Sequence, residues 1–149
     1  MSALLAPDQP APSTRSRRER LRTPLLTIGG LAATTLALHL RDPHEQGSWG
    51  FCPLYLLTGI YCPGCGGLRA VNDLTDGDVK GAASSNLLVT IGIPIVSVLL
   101  ALWVVRAWRG TTVRPVPPGV QRVLWSVGAV AAAAFAVLRN TPAGAWLAP

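Results

Sequence analysis

Cys52, Cys62 and Cys65 are the three cysteines of this 149-residue chain, and they fall together in one short stretch. Cys62-Pro63-Gly64-Cys65 is a C-x-x-C unit. Three chemistries fit it. A thiolate beside free backbone amides has a lowered pKa, so Cys62 would attack disulfides and Cys65 would resolve them. A C-P-x-C-G run also has the shape of a zinc knuckle, whose tight turns aim amides at sulfur; Cys52 is then a third ligand and His44 a fourth. The third reading is a structural disulfide that closes a hairpin and leaves one cysteine over. Arg69, four residues beyond Cys65, is placed to stabilise a thiolate or bind a lipid phosphate, or else to snorkel to an interface or pair with Asp73 one turn on. No Ser/His/Asp set, glycine-rich phosphate loop or paired intramembrane carboxylates accompany these residues. That excludes hydrolase, nucleotide-dependent and proton-coupled transport readings and calls for no cofactor.

The elements that must position these thiols are unusual. Residues 50–76 are apolar enough to enter a membrane surface, yet their prolines and glycines make a regular span improbable, so the segment is expected to form an interfacial or re-entrant hairpin of short helices. Pro63 is expected to start a helix with Leu68, Val71 and Leu74 on one face and Arg69, Asn72, Asp73 and Asp76 elsewhere. Asp76-Gly77-Asp78 reads as a solvated turn, with Asp78 capping a helix that leads through Asn86 into an apolar run.

Half of the chain is hydrophobic and 13% is charged, and the mean hydropathy is +0.39. Disorder, collagen and a cysteine-rich secreted scaffold are excluded, and a membrane protein is indicated. Stretches 24–40, 87–105 and 120–138 each approach the roughly 20 apolar residues that cross a bilayer core. Pro24 is taken as the first helical residue of the first span, and Pro94 is expected to kink or loosen the second. The net charge of +6 suits topology better than nucleic acid. Arg15, Arg17, Arg18, Arg20 and Arg22 precede the first span, and Arg106, Arg109, Arg114 and Arg122 occupy the linker between the last two. Lysine- and arginine-rich loops stay cytoplasmic. The expected order is a disordered, uncleaved basic cytoplasmic tail (1–23), one membrane domain (24–142) with the cysteine hairpin outside, and a short extracytoplasmic tail (143–149). Small residues recur every fourth position at Gly29, Ala33 and Ala37 and at Gly128, Ala132 and Ala136. This pattern is expected to pack the first span on the third, or else to form a dimer interface.

The sequential order Cys52-Pro53, Thr58-Gly59, Cys62-Pro63-Gly64-Cys65-Gly66, Arg69-Ala70, Gly77-Asp78 and Asn86 resembles the domain of unknown function 2752 family of small bacterial membrane proteins. The likeness covers roughly residues 50–100; Leu68 stands where many members carry threonine. The resemblance implies a multi-span protein of the bacterial plasma membrane and transfers no mechanism. The fold class is therefore an all-α integral membrane bundle of three transmembrane helices plus the cysteine hairpin. The leading reading is a non-enzymatic membrane component in the lipid bilayer, binding a membrane protein partner or a second copy of itself. Thiol-disulfide oxidoreductase and zinc or other metal-binding protein are the alternatives.

Overall fold

The computed structural model of the chain describes residues 16–45, 47–49, 51–111 and 115–148. Arg15, Arg114 and the first fifteen residues of the expected tail lie outside them. All described elements are helical: α1 (Arg17–Leu40), α2 (Pro53–Thr58), α3 (Gly67–Thr75), α4 (Val79–Arg109), α5 (Pro118–Arg139) and a short 3-10 helix (Pro142–Leu147). Three of them, α1, α4 and α5, are long and apolar enough to cross a membrane. With 24, 31 and 22 residues, they extend about 36, 46 and 33 Å at 1.5 Å per residue.

The first helix starts earlier than Pro24. Ser16 and Glu19 form a reciprocal capping box, in which the Glu19 amide donates to Ser16 Oγ and the Ser16 amide donates to Glu19 Oε2. Two otherwise orphaned donors are thereby satisfied, the helix starts at Arg17, seven residues upstream of the proline, and Pro24 lies buried inside it. Residues 17–23 are thus helical rather than a loose tail.

The second span begins where Asp78 accepts from the Gly81 amide at 2.9 Å. Its regular geometry breaks at Asn86, the one residue inside α4 with non-helical dihedrals, while Pro94 keeps helical ones. The residues after the third span also differ from an extended tail. They wind into the 3-10 helix, which packs on both α5 and α4 and buries Gly144 and Leu147.

Packing is opposite to that of a soluble bundle. The buried apolar side chains among the described residues are Leu38, Ala70, Ala82 and Leu147 with the prolines Pro24 and Pro43, whereas Asn72, Asp73, Ser85, Asn86 and Arg139 are also buried and long rows of Leu and Val face outward. Lipid gives apolar groups no reason to hide, and it gives polar groups every reason to find one another inside the protein. Helix α3 illustrates this. Asn72 and Asp73 point inward, while Leu68 is 45% exposed.

Helix α1 packs on α4 and α3, and α5 packs on the 3-10 helix. The expected pairing of the small-residue faces of α1 and α5 is not the main contact, and the Cα atoms of Gly29 and Gly128 face open space. Polar ties fix α1 at both ends. Arg20 Nε donates to the Ala107 carbonyl at 3.0 Å and the Arg17 guanidinium stacks 4.6 Å from the Trp108 ring. At the other pole Asn72 Nδ2 donates to the Leu38 carbonyl at 2.9 Å, and His39 Nδ1 meets Thr75 Oγ1 and Asp76 Oδ1.

Candidate functional site

The thiols sit on a hairpin built by local backbone rules. Pro53 occupies the first turn of α2, where a missing N–H costs nothing. Thr58 Oγ1 returns to the Leu54 carbonyl, and Gly59 adopts φ of 70°, a left-handed C-terminal cap that turns the chain. Tyr61 then stacks on Tyr55 at 4.5 Å between centroids. The expected helix start at Pro63 is not found. Residues 62–66 make tight turns, and Gly66, at φ of 74°, sets the start of α3 at Gly67.

Every carbonyl of the Cys62–Cys65 loop has a donor. The Cys62 oxygen accepts from the Cys65 amide and from Arg139 Nη1, and the Gly64 oxygen accepts from the Gly67 amide. Asn86 Nδ2 donates to the Pro63 and Cys65 oxygens at 2.9 Å each, and Arg139 Nη1 reaches the Cys65 oxygen at 3.0 Å. Asn86 Oδ1 also accepts from the Val89 amide at 3.0 Å and so starts the main part of α4 anew after the break. The loop is therefore strapped from below by two spans: α4 through Asn86 and α5 through Arg139. A further tie comes from Asn140, whose amide oxygen and nitrogen pair with the Tyr61 N–H and C=O at 2.9 Å each.

This scaffold brings the three sulfurs together. Cys62 Sγ lies 3.2 Å from Cys65 Sγ and 3.6 Å from Cys52 Sγ, and all three atoms lie within 4.8 Å of one another. The cysteines are free thiols, half-buried. Their electrostatics differ. The Tyr55 amide in the first turn of α2, then the Cys65 side chain, lowers the Cys52 thiol to about 7. Burial, then the hydrogen bonds of Cys62 and Cys52, pushes the Cys65 thiol up to about 12.

The other residues expected at this site fall elsewhere. His44 does not join the sulfurs. Its Nδ1 meets Asp42 Oδ1 at 2.8 Å and its Nε2 meets Asp73 Oδ1 at 3.2 Å, and the His44 amide, then its ring, holds Asp42 below its ordinary range. Asp73 is buried rather than solvated and accepts from Ser85 Oγ at 2.8 Å. Arg69 donates to the Pro43 carbonyl at 3.3 Å instead of pairing with Asp73. With His44, Asp73, Asp78 and Ser85 it lines a polar cavity of about 300 Å³. Gly77, at φ of 79°, and Asp78 form the turn and the cap of α4.

Arg139 and Asn140 were not among the residues expected to matter. The available signal was a cation at the end of an apolar span, on the pole opposite the other arginines of that linker. Asn86, by contrast, stood out in the sequence as the polar entry to an apolar run.

No curated protein and no solved structure matches the chain. Residues 52–100, running from the first cysteine of the cluster through Asn86 into the second span, match the family model described as Protein of unknown function (DUF2752).

Proposed function

We propose that the protein is a non-enzymatic, multi-pass component of the bacterial plasma membrane that holds a metal ion on Cys52, Cys62 and Cys65. One observation carries this reading: three sulfurs from two separate segments converge within 4.8 Å. A tetrahedral ion with bonds of about 2.3 Å to sulfur needs its sulfurs about 3.8 Å apart. The separations of 3.2 and 3.6 Å and the 4.8 Å limit bracket that value. Because His44 is engaged with Asp42 and Asp73, three protein donors would leave a fourth position open to water or to a passing ligand.

The basic residues support an orientation. Arg17 and Arg20 lie at the same pole as Ala107 and Trp108 near the end of α4, so the positive-inside tendency puts that pole and the amino terminus in the cytoplasm and the thiols outside. The lipid bilayer is the first partner, and a membrane protein or a second copy is the other. Reporter fusions at residue 60 test the orientation; activity characteristic of the cytosol overturns it.

The metal reading is tested on detergent-purified full-length protein loaded with Zn²⁺. About one ion per chain is expected, falling to background in Cys52→Ser. Absence of binding in the wild-type protein, or full retention in Cys52→Ser, overturns it.

Thiol–disulfide exchange is a second reading, favoured by a Cys52 thiol lowered to about 7 at 3.6 Å from Cys62 Sγ. Cys52 thiolate would attack the Cys62 sulfur of a Cys62–Cys65 disulfide and release Cys65 thiolate. A thiol raised to about 12 is a poor leaving group, which opposes that step. Trapped mixed disulfides in Cys62→Ser or Cys65→Ser cells would favour exchange over metal.

A further inference from the structure

Arg139 is 2% exposed. It donates to the carbonyls of Cys62, Cys65, Leu147 and Ser85 at 2.9 to 3.4 Å. The rings of Phe135 and Tyr61 lie 4.9 and 5.7 Å from its guanidinium carbon. Among the described residues no carboxylate pairs with it, since the ion pairs present join only His39 and His44 to aspartates. Its Nε is buried without any partner. A buried cation is costly unless an opposite charge accompanies it, and carbonyl dipoles and aromatic faces supply only part of that compensation.

The loop that Arg139 grips carries two thiols able to become anions, those of Cys62 and Cys65. Metal binding deprotonates thiols. Three thiolates around a divalent ion leave a net charge of −1, which one guanidinium neutralises; around a univalent ion the remainder is −2, and one guanidinium does not suffice.

On the metal reading above, we propose that Arg139 is the built-in counter-charge of a divalent-ion trithiolate centre and that it positions the Cys62–Cys65 loop through the same guanidinium. It touches no ligand sulfur. Its action runs through the carbonyls of the ligand residues and through its charge, the kind of outer-shell support that tunes metal affinity.

The test uses full-length protein in detergent, with Zn²⁺ competed against a chromophoric chelator. Arg139→Gln is expected to weaken Zn²⁺ binding by about 10- to 100-fold, the usual range for outer-shell losses, while Arg139→Lys stays within about threefold because the charge remains. Asn140→Ala, which loosens the same pole without changing charge, also stays within about threefold.

Wild-type affinity in Arg139→Gln overturns the proposal. So does an equal loss in Arg139→Lys and Arg139→Gln, since that describes a purely structural arginine. Should Arg139→Gln fail to fold, Arg139→Lys is decisive alone: a tenfold or greater loss, roughly the outer-shell minimum, overturns the proposal. Failure of the wild-type protein to bind Zn²⁺ removes the metal reading itself, whereas binding that ignores Arg139 removes only this inference.

Discussion

Replacing Asn86 offers the sharpest check on how the thiol loop is held. The side chain is fully buried and makes three hydrogen bonds, two as donor to the Pro63 and Cys65 carbonyls and one as acceptor from the Val89 amide. In Asn86→Ala the Pro63 carbonyl and the Val89 amide lose those partners, whereas the Cys65 carbonyl keeps Arg139. Two orphaned groups at about 1–3 kcal/mol each bound the loss at about 2–6 kcal/mol. Interhelical hydrogen bonds in membranes average nearer 0.6 kcal/mol, which brings the expectation to about 2–3 kcal/mol. Asn86→Asp separates the two halves of the role. Aspartate still accepts from Val89, but it donates nothing and sets a negative charge against two carbonyl oxygens, so it loses at least about 1 kcal/mol more than alanine. Unfolding in mixed micelles by added SDS measures the free energies, and maleimide labelling rates report whether the sulfurs disperse. If Asn86→Asp matches the wild-type protein, the residue acts as a helix cap alone and the reasoning about a strapped loop is wrong.

Asn140→Ala should cost about 1 kcal/mol in the same titration and speed hydrogen exchange at the Tyr61 amide, which now loses its acceptor; unchanged exchange there would refute the pairing. Gly144→Ala puts a Cβ into the Leu138 carbonyl and should destabilise by about 1–3 kcal/mol as overpacking, with faster proteolysis of the carboxyl end as the readout. In metal-free protein Cys52 alkylation should rise through about pH 7. The lowered value means that its thiolate, and the stability linked to it, are lost as pH falls through that point. Cys65, pushed up to about 12, should stay unmodified in the neutral range. Peptide mass spectrometry resolves the two sites, and a Cys52 profile centred near the ordinary value of about 8.5 would contradict the geometry.

Residues whose role is local could be read from the sequence. Asp78 caps α4 and Gly77 turns the chain because those preferences depend on nearby backbone. The three spans were legible because length and apolarity suffice to recognise them. The start of α1 was missed: the fixed φ of Pro24 is a local signal that points seven residues too late, while the capping box of Ser16 and Glu19 sets the true start. Long-range partners were not legible. Nothing within reach of Arg139 in sequence tells of carbonyls 74 and 77 residues away. His44 looked like a ligand because it lies near Cys52 in the chain, yet Asp73 claims it in space. The inward face of α3 was not legible either: hydrophobic periodicity locates the core in water, whereas here Asn72 and Asp73 face inward and Leu68 faces out.

The attachment of α5 has a mechanical consequence. Its packing among the described residues is concentrated on the 3-10 helix, and Arg139 and Asn140 bind it to the hairpin at that one end. A span held at a single pole takes its tilt from the thickness of the surrounding lipid more than from neighbouring helices. Thicker or thinner bilayers are expected to tilt it about a pivot that is also the floor of the sulfur cluster.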